Sequence, residues 1–203
     1  MSSELSERYP GYSLHRTEVC DARCVPRTDK TADAILLMGP LYHITEYEER
    51  IAALKECKRL LRPGGVLFVA ALTPYSVLLH CITVYRTKHS SKQDALDNPA
   101  FLSMVRRELS DGHHENPERS VYDGLGTSHL HTAAALRTEL SAGGFPDADI
   151  HGVMGGAWLA PDIDTLWEDS DSRETLMKTV RMLDEHTEII GLSGHLLVIV
   201  KRK

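Results

Sequence analysis

Two apolar runs without a polar interruption bracket one helical pattern and restrict what this chain can become. Ala34-Ile35-Leu36-Leu37-Met38 closes on Gly39-Pro40, and Val66 to Leu72 is apolar throughout. A strand with one wet face alternates polar and apolar residues. A run without alternation suits a strand covered on both faces, as in a parallel sheet packed between helices. Between the runs, Ile51, Leu54, Lys58 and Leu61 recur at three- and four-residue spacing. This predicts a helix from Thr45 with Arg50, Lys55 and Arg59 turned to water. Thr45 and Glu48 are spaced as a capping box, and Pro63-Gly64-Gly65 is a stop signal. Strand, helix, strand in this order is a right-handed βαβ unit, so the fold class is α/β.

Composition narrows the partners. With 203 residues the chain suits a single domain. A net charge of -6 repels phosphate backbones, which argues against a nucleic-acid partner. The apolar runs are too short to cross a membrane, and Met-Ser-Ser-Glu-Leu-Ser-Glu-Arg at the start has no secretory or transit character, so a cytoplasmic location is expected. The four cysteines, Cys20, Cys24, Cys57 and Cys81, lack redox or zinc-ribbon spacing and read as reduced and structural. The eleven histidines cluster at His113-His114 and at His129 and His131. No carboxylate or cysteine joins them at ligand spacing, so no metal site is expected.

Further along, residues 73–126 read as a helical insertion, a lid over an acceptor pocket. Within it Asn98 and Pro99 start a helix, Leu102, Val105 and Leu109 make its stripe, and Gly112 ends it. A helix from about Thr132 carries Leu136 and Leu140 and stops at Gly143-Gly144. Another, from about Ser172 to His186, shows Leu176, Val180 and Leu183. Leu196 to Val200 is a last strand.

Taken in order, these segments resemble the class I S-adenosylmethionine-dependent methyltransferases of the type 11 and type 25 kind. Ala32-Asp-Ala-Ile-Leu-Leu-Met-Gly-Pro-Leu-Tyr-His43 is similar to the family's fourth motif, and Leu60-Leu-Arg-Pro-Gly-Gly-Val-Leu-Phe-Val69 to its helix-turn-strand into the fifth strand. Asp21-Ala22-Arg23 looks like its adenine-side loop, placed just after a strand. Ser128 to His131 and Glu139 to Phe145 resemble the approach to the sixth strand, and Gly191 to Val198 the approach to an antiparallel seventh. The family's opening strand, glycine-rich turn and ribose-binding acid have no counterpart here. The resemblance therefore implies a partial Rossmann-like sheet without its first two strands, an incomplete single domain over 1–203.

The same resemblance assigns the site. S-adenosyl-L-methionine would be touched by Asp21, Ala22, Met38, Gly39 and Pro40, and held weakly or not at all by this chain alone. Tyr42 and His43 follow the strand end where acceptors bind in open α/β sheets. His43 is the candidate base, since an imidazole titrates near neutral pH. Tyr75, His129, His131 and Trp158 are candidate walls of the acceptor pocket. The expected activity is methylation of a small-molecule acceptor. The alternatives are an inactive partner-binding subunit or a non-methylating, cyclase-like catalyst. A homodimer or heterodimer is expected to cover the sheet edge that lacks its neighbour.

Overall fold

A computed structural model describes residues 17–80, 98–116, 125–160, 162–184 and 186–203. Strand β1 (Ala32–Leu37) leads through the short helix α1 (Pro40–His43) to helix α2 (Tyr47–Leu60) and strand β2 (Leu61–Leu72). The chain becomes helical again at 76–80, and helix α3 (Pro99–Asp111) runs into the two-residue strand β3 (His113–His114). Strand β4 (Ser128–His129), helix α4 (Ala133–Ala142) and strand β5 (Asp149–Gly152) follow. Helices α5 (Ile163–Glu168) and α6 (Ser170–Leu183) then precede the last strand, β6 (His195–Lys201).

The main sheet has the order β1-β2-β6-β5. The β1–β2 pair is parallel, as the βαβ reading requires, and β6 runs antiparallel to both β2 and β5. On one face Leu37, Leu67, Val69, Ala71, Leu196, Val198 and Ile150 are buried in the main core, beneath Ile51, Leu54 and Cys57 of α2 and Leu136 and Leu140 of α4. Burial pushes the Cys57 thiol up to about 12, so it packs as a small apolar group. Gly143 fits beneath α2 because it has no side chain: a Cβ there would lie 2.5 Å from Leu54 Cβ.

The opposite sheet face departs from the sequence reading. Ala34 is exposed, Leu36 is 69% exposed, and Val66, Phe68, Ala70, Leu197 and Ile199 are only half-buried. The register Leu36↔Phe68↔Ile199 puts these residues side by side. The expected cover on both faces is thus found on one among the described residues, because α2 and α4 both pack on the same side. The β1 edge opposite β2 likewise has no described partner strand.

Other local expectations are also revised. The cap of α2 is Glu46, without a side-chain cap hydrogen bond, so the Thr45–Glu48 capping box does not form. Leu61 begins β2 instead of extending the helical stripe, and Lys58 reaches the Gly144 carbonyl at 2.8 Å. The buried face of α3 consists of Phe101, Met104, Val105 and Glu108, while Leu109 is exposed. With Val77, the apolar three form a second small core. Asn98 does cap α3, accepting from Ala100 N at 2.8 Å. Residues 17–20, just before Asp21, carry no strand, and residues 1–16 lie outside the described ones.

Candidate active site

The C-terminal ends of β1 and β2 open at the same end of the sheet, where crossovers leave polar backbone free to meet ligands. Most predicted site residues lie here. Met38 is exposed at the end of β1, and Gly39 precedes α1. The α1 turn, which carries Tyr42 and His43, packs against β4, which carries His129. The Tyr42 and His43 rings are 4.7 Å apart. His43 is exposed. Tyr75 lines a cavity of about 510 Å³ together with Thr73, Thr132, Ile190, Gly191 and Leu196. A Cβ at Gly191 would come within 2.9 Å of the Tyr75 ring, so the glycine lets that ring approach the backbone closely. His129 and His131 do not line this cavity. Trp158 sits in the turn Ala157–Leu159, and its side chain lies outside the described parts.

His131 is held from two directions. Its N–H donates to the Leu72 carbonyl at 2.7 Å, which ties the segment to the end of β2. Its Nε2 lies 3.1 Å from Glu139 Oε2. Glu139 in turn accepts from Arg50, Nη2 to Oε1 at 2.7 Å and Nε to Oε2 at 2.9 Å. Burial alone would raise the Glu139 carboxyl, but the hydrogen bonds from His131 and Arg50 outweigh it and hold the group at about 2. Arg50 also donates from Nη1 to the Ile44 and Thr45 carbonyls. Its guanidinium thus fixes the loop between α1 and α2 to α4. The helical period had turned Arg50 to water; the fold buries it, because Glu139 offers a charge partner there.

A second buried pair supports the small β3–β4 ribbon. His114 Nδ1 is 2.5 Å from Glu108 Oε1, both side chains being fully buried. Gly112 allows this ribbon to meet α3. Its φ is +75°, and a Cβ would lie 2.2 Å from the Leu130 carbonyl oxygen.

The adenine-side loop fits the implied cofactor poorly. Asp21 Oδ1 accepts from Arg23 N and Nε at 2.8 and 2.9 Å, and Oδ2 from Arg23 Nη2 at 2.5 Å. These hydrogen bonds hold the Asp21 carboxyl at about 2. Arg23 also pairs with Glu49 at 2.6 Å, which lays the loop on the first turn of α2. An adenine amino group would have to displace Arg23. Ala22 packs against the core, and Met38, Gly39 and Pro40 stand at the β1 end.

The sequence matches the family described as methyltransferase domain over residues 1–69. It is also similar to the mouse (Mus musculus) "Probable tRNA methyltransferase 9B", 33% identical over 114 residues, which cover 54% of this chain and 24% of that protein. Over these matched stretches the chain is similar to the class I S-adenosylmethionine-dependent methyltransferases. Another relative is the tRNA (carboxymethyluridine(34)-5-O)-methyltransferase ALKBH8 of Macaca fascicularis, 47% identical over 47 residues, 23% of this chain and 7% of that one. The chain therefore spans a quarter or less of the length of these two methyltransferases. In fold it resembles a SAM-dependent methyltransferase from Methanosarcina mazei, with a TM-score of 0.51, 15% identity and cover of 98% of this chain and 75% of the other. The sheet order and the antiparallel β6 accord with the expected methyltransferase topology. The expectation against nucleic acid, drawn from net charge alone, conflicts with relatives that are named for tRNA.

Proposed function

We propose that this chain forms the acceptor-side region of a methyltransferase that modifies a single nucleoside within RNA. S-adenosylmethionine supplies a methyl group on a sulfonium that is already a good leaving group, so the protein's main task is placement. The cavity beside Tyr75 at the end of β2 carries the reading. At about 510 Å³ it is in the range of small-ligand sites and admits one nucleoside-sized group, not a duplex. A nucleoside turned out of its strand would stack on the Tyr75 ring. The relatives named as tRNA methyltransferases supply the choice of RNA. The acidic net charge implies that phosphate contacts contribute little here, so affinity rests on the turned-out base.

The test is transfer of a radiolabelled methyl group from S-adenosylmethionine to unmodified tRNA, compared with a panel of free nucleosides and small hydroxyl and amine acceptors. Label in acid-precipitable RNA that falls at least tenfold in Tyr75→Ala supports the proposal. Label only in small acceptors overturns it in favour of a small-molecule enzyme. An absence of label together with an absence of tRNA binding favours a partner-binding subunit, which the open sheet face around Leu36 and Phe68 would suit.

A further inference from the structure

His129, His131 and Glu139 each bring one potential ligand atom to within 4.8 Å of the others. The sequence reading discounted the histidines for want of a carboxylate at ligand spacing. The fold supplies one, because the turn from β4 into α4 folds Glu139 back onto His131. Two of the three, His131 and Glu139, are buried, and His129 is half-buried.

Three features make this more than a crowded corner. His131 is fully buried and uses one ring nitrogen on Glu139, while Nδ1 is buried with no hydrogen-bond partner among the described residues. The lone pair on that nitrogen can take the ring proton and release Nε2 to a ligand. His129 offers a half-buried imidazole beside it. Its ring lies edge-on to His131 with centroids 4.6 Å apart, and its partial exposure leaves a route for an ion and an open coordination position. Glu139 is held in place by Arg50, as outer partners hold the carboxylate ligands of metal sites.

We propose that His129, His131 and Glu139 form a binding site for a divalent transition-metal ion, with zinc the best match. Two imidazoles and one carboxylate with a free fourth position is a zinc donor set, whereas magnesium and calcium favour oxygen ligands alone. In this site His131 gives the lone pair of Nε2 to the ion, and the proton now on Nε2 moves to Nδ1. The imidazole stays neutral and the proton count is unchanged. Glu139 turns Oε2 toward the ion and keeps Oε1 on Arg50. The Arg50 charge opposes the ion, so the site binds more weakly than a closed structural zinc site.

The test is titration of the full chain with zinc chloride by calorimetry, and with cobalt(II) by visible absorption. The expected result is one equivalent of zinc bound, and a cobalt spectrum without a thiolate charge-transfer band. Because Cys20 and Cys24 are exposed thiols, the Cys20→Ser/Cys24→Ser variant is the control and is expected to bind zinc unchanged. His129→Ala, at a half-exposed position, is expected to keep its circular dichroism spectrum and weaken zinc at least tenfold. Absence of binding by the unaltered chain, binding indifferent to His129→Ala, or a thiolate band lost with the cysteines would each overturn the site. The unaltered chain and the cysteine control decide the matter even if His129→Ala fails to fold.

Discussion

Arg50 and Glu139, 89 residues apart in the chain, form a two-pronged ion pair with side chains only 3% and 5% exposed. The pair joins α2 to α4 across the covered face of the sheet and carries His131 on its far side. A buried pair of this kind is weak evidence of net stability but strong evidence of cost when it is broken. Arg50→Ala leaves Glu139 buried without its charge partner. It is expected to lower unfolding free energy by about 3–5 kcal/mol, whereas Arg50→Met/Glu139→Leu restores much of the loss. Urea unfolding of both variants checks this.

The same carboxyl sets an acid limit. The folded-state value of Glu139 is depressed from 4.5 to about 2. A depressed carboxyl contributes stability that is complete above its unfolded value and is lost as pH falls toward the folded one. Stability is therefore expected to decline between about pH 4.5 and pH 2, and the decline is expected to flatten in Arg50→Met/Glu139→Leu. Denaturant midpoints measured at steps of pH decide it.

Helix caps give a paired comparison. Asn98 Oδ1 accepts from Ala100 N and Phe101 N at the start of α3, so Asn98→Ala is expected to cost about 1 kcal/mol. Thr45 lies before the Glu46 cap and gives α2 only its backbone carbonyl, through Arg50. Thr45→Ala is expected to cost less than about 0.5 kcal/mol. Equal losses in the two variants would contradict this assignment of the caps.

Gly112→Ala is expected to be worse than either. The residue has φ +75°, and its added Cβ would meet the Leu130 carbonyl, a backbone atom that cannot swing away. An alanine where φ is positive costs more than about 1 kcal/mol before any clash is counted. Thermal unfolding, with near-ultraviolet circular dichroism to follow the β3–β4 ribbon, measures it.

What the sequence made legible follows from how local each signal is. The two apolar runs and the period of α2 are properties of adjacent residues, so β1, β2 and their parallel pairing could be read directly. The burial of Arg50 could not, because its cause is Glu139 in another helix. Glu139 also completes the histidine cluster through a fold-back that ligand-spacing rules do not cover. Asp21 was placed by resemblance in the adenine loop, and its carboxylate accepts from Arg23, a contact that no periodicity signals. The apolar character of Ala34 to Met38 was read as two-sided burial. Apolarity shows only that a face is built for cover, not which segment supplies it.

That open face gives the last prediction. Leu36 is 69% exposed on β1 and lies in register with Phe68 and Ile199, both half-buried, so an apolar patch spans three strands. Patches of this kind favour association, and β1 adds an edge without a described partner strand. The chain is expected to self-associate at tens of micromolar, a range in which contacts of modest area become visible. Because Leu36 points away from the packed core, Leu36→Lys places a charge in the patch at little cost to the fold. It is expected to shift unfolding free energy by less than about 0.5 kcal/mol, as exposed substitutions do, while reducing the associated fraction. Sedimentation velocity on both proteins tests this. A monomeric unaltered chain would remove the patch as a self-association surface, and Leu36→Lys unfolding the protein would show that the face is covered in solution.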